Sequence, residues 1–283
     1  MAEALASPEN PLTARVFVNR VWLNLFGRGL VRTPSNFGVM GEKPTHPELL
    51  DWLAAEFQTP DAAAPAATGA NPPIPWSIKR LQRLILLSAT YRMSSRGEPA
   101  GLAVDADNRL LWRANPRRLD VESWRDALLS VTGELDKTVG GPSVDNLMTS
   151  VRRTLYAAVN RNGDQFEHQV FLRLFDFPAS RASSEGRNSS AIPQQYLFLM
   201  NSPFMAARSR ALSKRLGGSF DNDSARITAA YQLLYSRDPT DEERRIGSEF
   251  LALSVSPDEP NQLSPWERYA QVLLSANELM FVE

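Results

Sequence analysis

Two histidines and no cysteine are all this chain offers toward thiol, haem-attachment or soft-metal chemistry. Without cysteine there are no disulfides, zinc–thiolate sites, iron–sulfur clusters or covalently attached haem within it. His46 and His168 fall in different helical stretches and cannot form an i, i+4 metal pair, so no metal site is expected. His46 sits in the first turn of a helix, where the positive end of the dipole disfavours imidazolium. It reads either as a neutral general base or as a capping or packing residue. His168, with Glu167 and Asp164 beside it, reads as solvent-facing or packed. No Walker loop, post-strand G-x-G-x-x-G, G-x-S-x-G or H-E-x-x-H is present, and no catalytic residue is assigned.

Three polar constellations remain. The run from Arg117 to Asp126 places Arg118/Glu122 and Glu122/Arg125 at i, i+4 and i, i+3, the spacing of a structural charge network on a helix. So many arginines would lower a carboxylate's pKa, which argues against an acid/base pair there. The stretch 176–201 gathers Asp176, Arg181, Arg187, Gln194, Gln195 and Asn201 on a polar loop and the adjoining helix. It reads as a ligand site for an anion or sugar hydroxyls, or as a loop bonded onto the helical body. The third set is Asn19, Arg20 and Asn24, then Arg28, Arg32, Thr33, Ser35 and Asn36, with Arg20, Asn24 and Arg32 as a second candidate cluster. Arg20 and Asn24 share a polar stripe that either clamps the following Gly-rich loop or lines a groove shared with a neighbouring domain.

These residues must be positioned by helices. Asn10-Pro11 is an N-cap followed by proline at N1, Ala14 to Leu25 recur at helical spacing, and Gly27 is a natural stop. Residues 29–41 read as a Gly/Pro-punctuated loop. Thr45-x-x-Glu48 predicts a capping box for a helix that buries Leu49, Leu50, Leu53 and Phe57. Residues 59–75 form an Ala/Pro-rich surface insert. A helix restarts at Ser77, with Leu84 to Leu87 expected on a buried face. Further helical stretches are expected near 107–113, 120–135 and 164–174. The TLYAAV run at 154–159 is the one candidate strand. After the polar loop at 176–193, helices span 193–200 and 202–216, joined at Asn201. Another covers 224–235, and Thr240-x-x-Glu243 and Ser264-x-x-Glu267 open the last two. The fold class expected is all-α: one multi-helix domain over 1–283, with long irregular loops and at most one short hairpin or strand.

Composition fits a globular chain: 283 residues, 43% hydrophobic and 22% charged. Net charge is −1, which predicts neither nucleic acid nor a lipid surface as partner. No apolar run approaches the roughly 20 residues of a membrane span. Of 31 Lys and Arg, only Lys43, Lys79, Lys137 and Lys214 are lysines. That excess of arginine suits bidentate anion recognition, and equally a coding bias. The opening MAEALASPENPLTAR shows no signal-peptide pattern. A helix beginning this soon after Met1 reads as an excised piece of a longer protein.

The stretch NPLTARVFVNRVWLNLFGRGLVRTPSNFGVMGEKPTHPELLDWLA resembles the start of a planctomycete-specific domain of unknown function. The resemblance continues through WSIKRLQRLILLSATYRMSS, NRLLWRANPRRLDVESWRDALLSVTGELD, RRTLYAAVNR, LRLFDFP, IPQQYLFLMNSPF, RDPTDEE and LLSANELMFVE. It implies a module that follows a cytochrome c-like domain and a companion domain in large exported proteins. Haem would then lie in the separate module, with no cofactor in this chain. Carbohydrate-associated neighbours imply polysaccharide handling. Gln195-Tyr196 departs from the Gln-Ala common in that family, a bulk that would narrow an adjoining groove. Two readings follow: a non-catalytic helical module that docks partner domains or binds polysaccharide, or an enzyme acting on polysaccharide with a redox partner, using Asp176 or Glu185.

Overall fold

Helix boundaries follow the local capping signals closely. The computed structural model describes residues 2–7, 9–60, 74–162, 166–181, 184, 186–187, 189–218, 220, 222–253 and 263–282. Among them are thirteen α-helices, and the only strands are the two-residue β1 (Arg117–Arg118) and β2 (Phe281–Val282), which pair. The fold is mostly helical, as expected. The chain divides into two compact units, residues 1–117 and 118–282. Most of the Ala/Pro insert at 59–75, together with Asp164 and Glu185, lies outside the described residues.

The first unit contains α1 (Ala2–Ala6), α2 (Pro11–Phe26), α3 (Pro47–Gln58), α4 (Ile78–Leu86) and α5 (Pro99–Val104). Asn10 caps α2 by accepting the Leu12 N–H at 3.0 Å, and Gly27 ends it in the left-handed region at φ 77°. Ala14, Val18, Trp22 and Phe26 of α2 pack with Leu50, Leu53 and Phe57 of α3 and with Leu81 and Ile85 of α4. Asn19, fully buried on α2, donates to the Val31 carbonyl at 2.9 Å and accepts the Val31 N–H at 2.8 Å. That double bond satisfies a buried stretch of loop backbone that no helix or strand serves. Gly29 is required by the approach: a Cβ there would lie 2.4 Å from the Val31 carbonyl oxygen.

Three expectations in this unit are corrected. The Thr45 capping box does not form; His46 takes the N-cap position of α3 without a side-chain cap bond. Pro47 at N1 sets the start one residue later, and the Thr45 backbone N–H and hydroxyl both go to the Leu30 carbonyl. Residues 107–113 form turns, because the Asp105 carboxylate collects the Arg109 and Leu110 N–H groups while Asn108 and Leu111 take positive φ; the helix lies earlier, at α5. Leu86 and Leu87 are exposed, since the side of α4 that meets the core carries Leu81 and Ile85, with Leu84 partly buried beside them.

The second unit contains α6 (Val121–Thr132), α7 (Glu167–Leu174), α8 (Pro193–Asn201), α9 (Pro203–Arg215), α10 (Asp223–Tyr235), α11 (Asp241–Ala252), α12 (Pro265–Leu274) and α13 (Asn277–Met280). Its core sets Met205 and Leu212 of α9 in one cluster with Ala270, Leu273 and Leu274 of α12 and Leu128 of α6. Trp124, Phe171, Phe175, Phe198 and Phe204 join α6, α7, α8 and α9 through ring contacts such as Trp124–Phe175 at 4.8 Å and Phe171–Phe198 at 5.1 Å. Arg215 donates to the Ser130 and Val131 carbonyls and so closes the C-terminal end of α6.

The irregular segment between α6 and α7 is held by two buried side chains. Arg125 of α6 donates to the carbonyls of Leu147, Ser150 and Arg152 and to the Thr154 hydroxyl. His168 of α7 sets one ring nitrogen 2.9 Å from the Asp145 carbonyl and the other 2.9 Å from that of Ala158. It is fully buried, so of the two sequence readings the packed one holds. The strand expected at 154–159 is instead a 3₁₀ turn at Thr154–Tyr156 with an isolated bridge from Ala157 to Val144. Asp126 takes the Thr154 N–H and hydroxyl, which curls the chain there. The break between α8 and α9 falls at Ser202, which caps α9, rather than at Asn201.

RDPTDEE is explained by structure. Thr240 and Glu243 form the expected capping box, as do Ser264 and Glu267. Arg237 then spans two carboxylates, with both oxygens of Glu243 at 2.7 and 2.8 Å and both of Glu278 at 2.6 and 2.7 Å. This fork ties the end of α10 to α11 and α13. Nearby, burial pushes the Tyr235 phenol up, so it stays a donor to the Leu273 carbonyl. Gly247 lets α11 close on α12, because a Cβ would meet the Tyr269 hydroxyl at 2.5 Å.

Two measurements check these ties. Asn19→Ala leaves the Val31 N–H and carbonyl unserved and is expected to lower unfolding free energy by about 2 kcal/mol in urea titration. The Arg237 fork holds the Glu243 carboxyl down to about 2. A depressed carboxyl contributes stability that is present above its unfolded value and lost as pH falls through its folded one. Wild type is therefore expected to exceed Glu243→Gln in stability at pH 7, with the gap closing between about pH 4.5 and 2.

Candidate functional site

The 176–201 region grows from the end of α7. Asp176 follows directly on α7 and its C-cap, in the left-handed region at φ 65°. Its carboxylate accepts the Ser190 N–H at 2.8 Å and the Ser190 hydroxyl at 2.7 Å, one per oxygen. Ser190 also meets the amide of buried Gln195 at 3.4 Å, and Gln195 donates to the Leu174 carbonyl at 2.9 Å. Arg118 completes the set by donating to the Ser190 carbonyl and, at 3.1 Å, to the Gln195 amide oxygen. Asp176, Ser190, Gln195 and Arg118 thus form a continuous network that fastens the loop to α7 and α8.

The other four expected ligands are distributed around this staple. Arg187 pairs with Glu122 at 2.5 Å and lies 5.1 Å from the Phe177 ring centre. Arg181 donates to the Arg161 carbonyl at 2.8 Å, beside a bond from Ser180 to Asn160. Gln194 and Asn201 are exposed on α8, where Asn201 bonds back to the Leu197 carbonyl of its own helix. Of the constellation, Asp176 and Gln195 belong to the network, and the Asp176 oxygens are both met by one serine.

The charge network read on α6 is also redrawn. Glu122 pairs with Arg187, and Arg118 turns to Ser190 and Gln195. Arg125 points inward instead of along the surface. Its position was legible, since Val121, Trp124, Leu128 and Leu129 mark the buried face and residue 125 falls within it. Burial pulls its guanidinium down to about 10, still charged at neutral pH. In the other unit, Arg20 and Asn24 are exposed, Arg32 is half-buried, and the loop clamp of that constellation is Asn19. His46 contacts the Thr45 hydroxyl through Nδ1 at 2.9 Å. Among the described residues no group of His, Asp and Glu is disposed to hold a metal ion.

One side of α8 is open to solvent. Successive residues of a helix turn by about 100°, which places Ile192, Tyr196, Met200, Pro193, Leu197, Asn201 and Gln194 in that order around one continuous outward arc. Gln195 and Leu199 lie opposite, buried. Tyr196, Leu197 and Met200 are 50%, 58% and 68% exposed, and α8 carries no charged residue. Gln194 and Asn201 form the polar border of this face. Gln271 of α12 fixes the helix by donating to the Leu199 and Met200 carbonyls at 3.0 and 2.8 Å.

Residues 1–251 match the family described as Protein of unknown function (DUF1553), PSD1, and the chain belongs to that family. No curated protein matches it, and neither does any solved structure.

Because asparagine tolerates positive φ, Asp176→Asn tests the staple without straining the turn. The substitution is expected to cost about 1–2 kcal/mol of stability and to speed amide exchange at Ser190.

Proposed function

We propose that this chain is a non-catalytic helical module of a larger exported, cytochrome-associated protein, and that it docks companion domains on the outward face of α8. The observation that carries this reading is the uncharged row Tyr196, Leu197 and Met200, exposed on a helix whose opposite side is locked into the core. Apolar clusters rimmed by polar residues are the usual mark of a protein contact, and Gln194 and Asn201 supply such a rim. Arg187 and Asp176 act in this reading as supports that hold the loop leading into α8. Haem, where the parent protein has it, belongs to the cytochrome c-like module, since this chain offers no cysteine for attachment.

Polysaccharide is the second reading, favoured by one detail: α8 exposes an aromatic ring, Tyr196, and, at the other end of its outward arc, the amides of Gln194 and Asn201. Those amides offer donors and acceptors to sugar hydroxyls. An enzyme reading rests on Asp176 or Glu185, and the Asp176 oxygens are already taken by Ser190.

Calorimetric titration of the chain with the separately purified cytochrome c-like module tests the docking reading. Binding is expected, and Leu197→Asp should weaken it about tenfold or more. Absence of binding, or binding indifferent to Leu197→Asp, overturns it. A glycan-array signal that disappears in Tyr196→Ala would transfer the face to polysaccharide.

A further inference from the structure

The outward row of α8 contains one side chain whose chemistry can be changed in place. On the arc Met200 stands between Tyr196 and Leu197, which precede it by four and three residues. At that spacing helical side chains are neighbours, about 5–6 Å apart between Cβ atoms. Met200 is 68% exposed, whereas Met205 and Met280 are buried and Met93 and Met148 half-buried. The Met280 sulfur also has the Arg118 guanidinium 4.0 Å away. The other exposed thioether among the described residues is Met40, on a turn closed by the Gly41 N–H onto the Gly38 carbonyl. Met40 belongs to the first unit and to no apolar row on α8. Gln271 holds the Met200 carbonyl at 2.8 Å, so the backbone under the exposed sulfur is fixed.

We infer that Met200 is an oxidative modification site: hydrogen peroxide converts its thioether to the sulfoxide, and the sulfoxide releases a partner docked on α8, a regulation that rests on the docking reading of that face. The sulfur lone pair attacks one peroxide oxygen. An S–O bond forms as the O–O bond breaks, sulfur gives up two electrons, and the departing hydroxide leaves as water with the proton of the transferred oxygen. A flexible apolar side chain thereby becomes a polar, chiral one. Its oxygen is an acceptor in the middle of the row, while the amides of Gln194 and Asn201 lie at the far end of the arc. In the free chain water serves that oxygen. Under an apolar partner surface it is buried without a donor, so the cost falls on the complex alone. The buried side of α8, Gln195 and Leu199, takes no part in the change.

The whole chain is treated with hydrogen peroxide, cleared of the excess, and divided between peptide mass mapping and calorimetric titration with the cytochrome c-like module. Met40 and Met200 are expected to gain an oxygen before Met205 and Met280 do. Chain carrying the sulfoxide at position 200 should bind about tenfold more weakly or worse, with an unchanged thermal melt. Methionine sulfoxide reductases for both sulfoxide epimers should restore the affinity. The loss should persist in Met40→Leu and be absent in Met200→Leu, each compared with its own untreated sample. An untreated chain that fails to bind overturns the docking reading and the regulation with it. Where the untreated chain binds, the regulation alone is overturned if Met200 reacts no faster than Met205, if the Met200 sulfoxide binds as tightly as the thioether, or if peroxide weakens Met200→Leu equally.

Discussion

A fully buried guanidinium organises the larger unit. Arg125 has five N–H donors, and the five bonds they make end on three carbonyls and one hydroxyl between Leu147 and Thr154. Its nearest carboxylate, Asp126, stands 3.7 Å away and is itself engaged by Thr154. A buried charge with all its donors used is tolerable, but one stripped of partners is not. The segment 147–154 is therefore bound to curl around the arginine, and it cannot also extend as a strand. Leu147, drawn in by the same bonds, becomes part of the core on which α6, α9 and α12 pack.

The same device recurs on a smaller scale. Asn19 serves Val31, His168 bridges Asp145 and Ala158, Asp176 serves Ser190, Gln195 serves Leu174, and Gln271 serves the end of α8. A helical chain with long irregular connections leaves many backbone groups without helix or strand partners, and buried ones must be satisfied. Here polar side chains from neighbouring helices do that work. Much of the Asp, Asn, Gln and Arg content that looks like binding chemistry is thus engaged in holding loops.

This redistributes where function is sought. With many polar side chains engaged in holding loops, exposed apolar rows stand out on the outward faces of helices. On α8 the face is uncharged and bordered by amides; on α4 it carries exposed Ile78 and Leu86. Both helices are pinned from behind by buried leucines or isoleucine, so their outward rows are presented in fixed geometry.

The sequence by itself determined the helical class, the absence of thiol chemistry and most helix boundaries. Asn10, Ser77, Asp120, Thr240 and Ser264 all cap the helices they precede, because a cap is a bond between residues two or three apart and needs nothing else. Tertiary structure decided the rest. Thr45 had a distant carbonyl, Leu30, competing for its hydroxyl, and Thr154 was curled by Asp126, 28 positions earlier. Spacing puts Arg125 on the buried face of α6, but the carbonyls that satisfy its charge there lie 22 to 27 residues away. Spacing names the neighbours along a helix; only the folded chain selects which remote backbone groups a long polar side chain must satisfy.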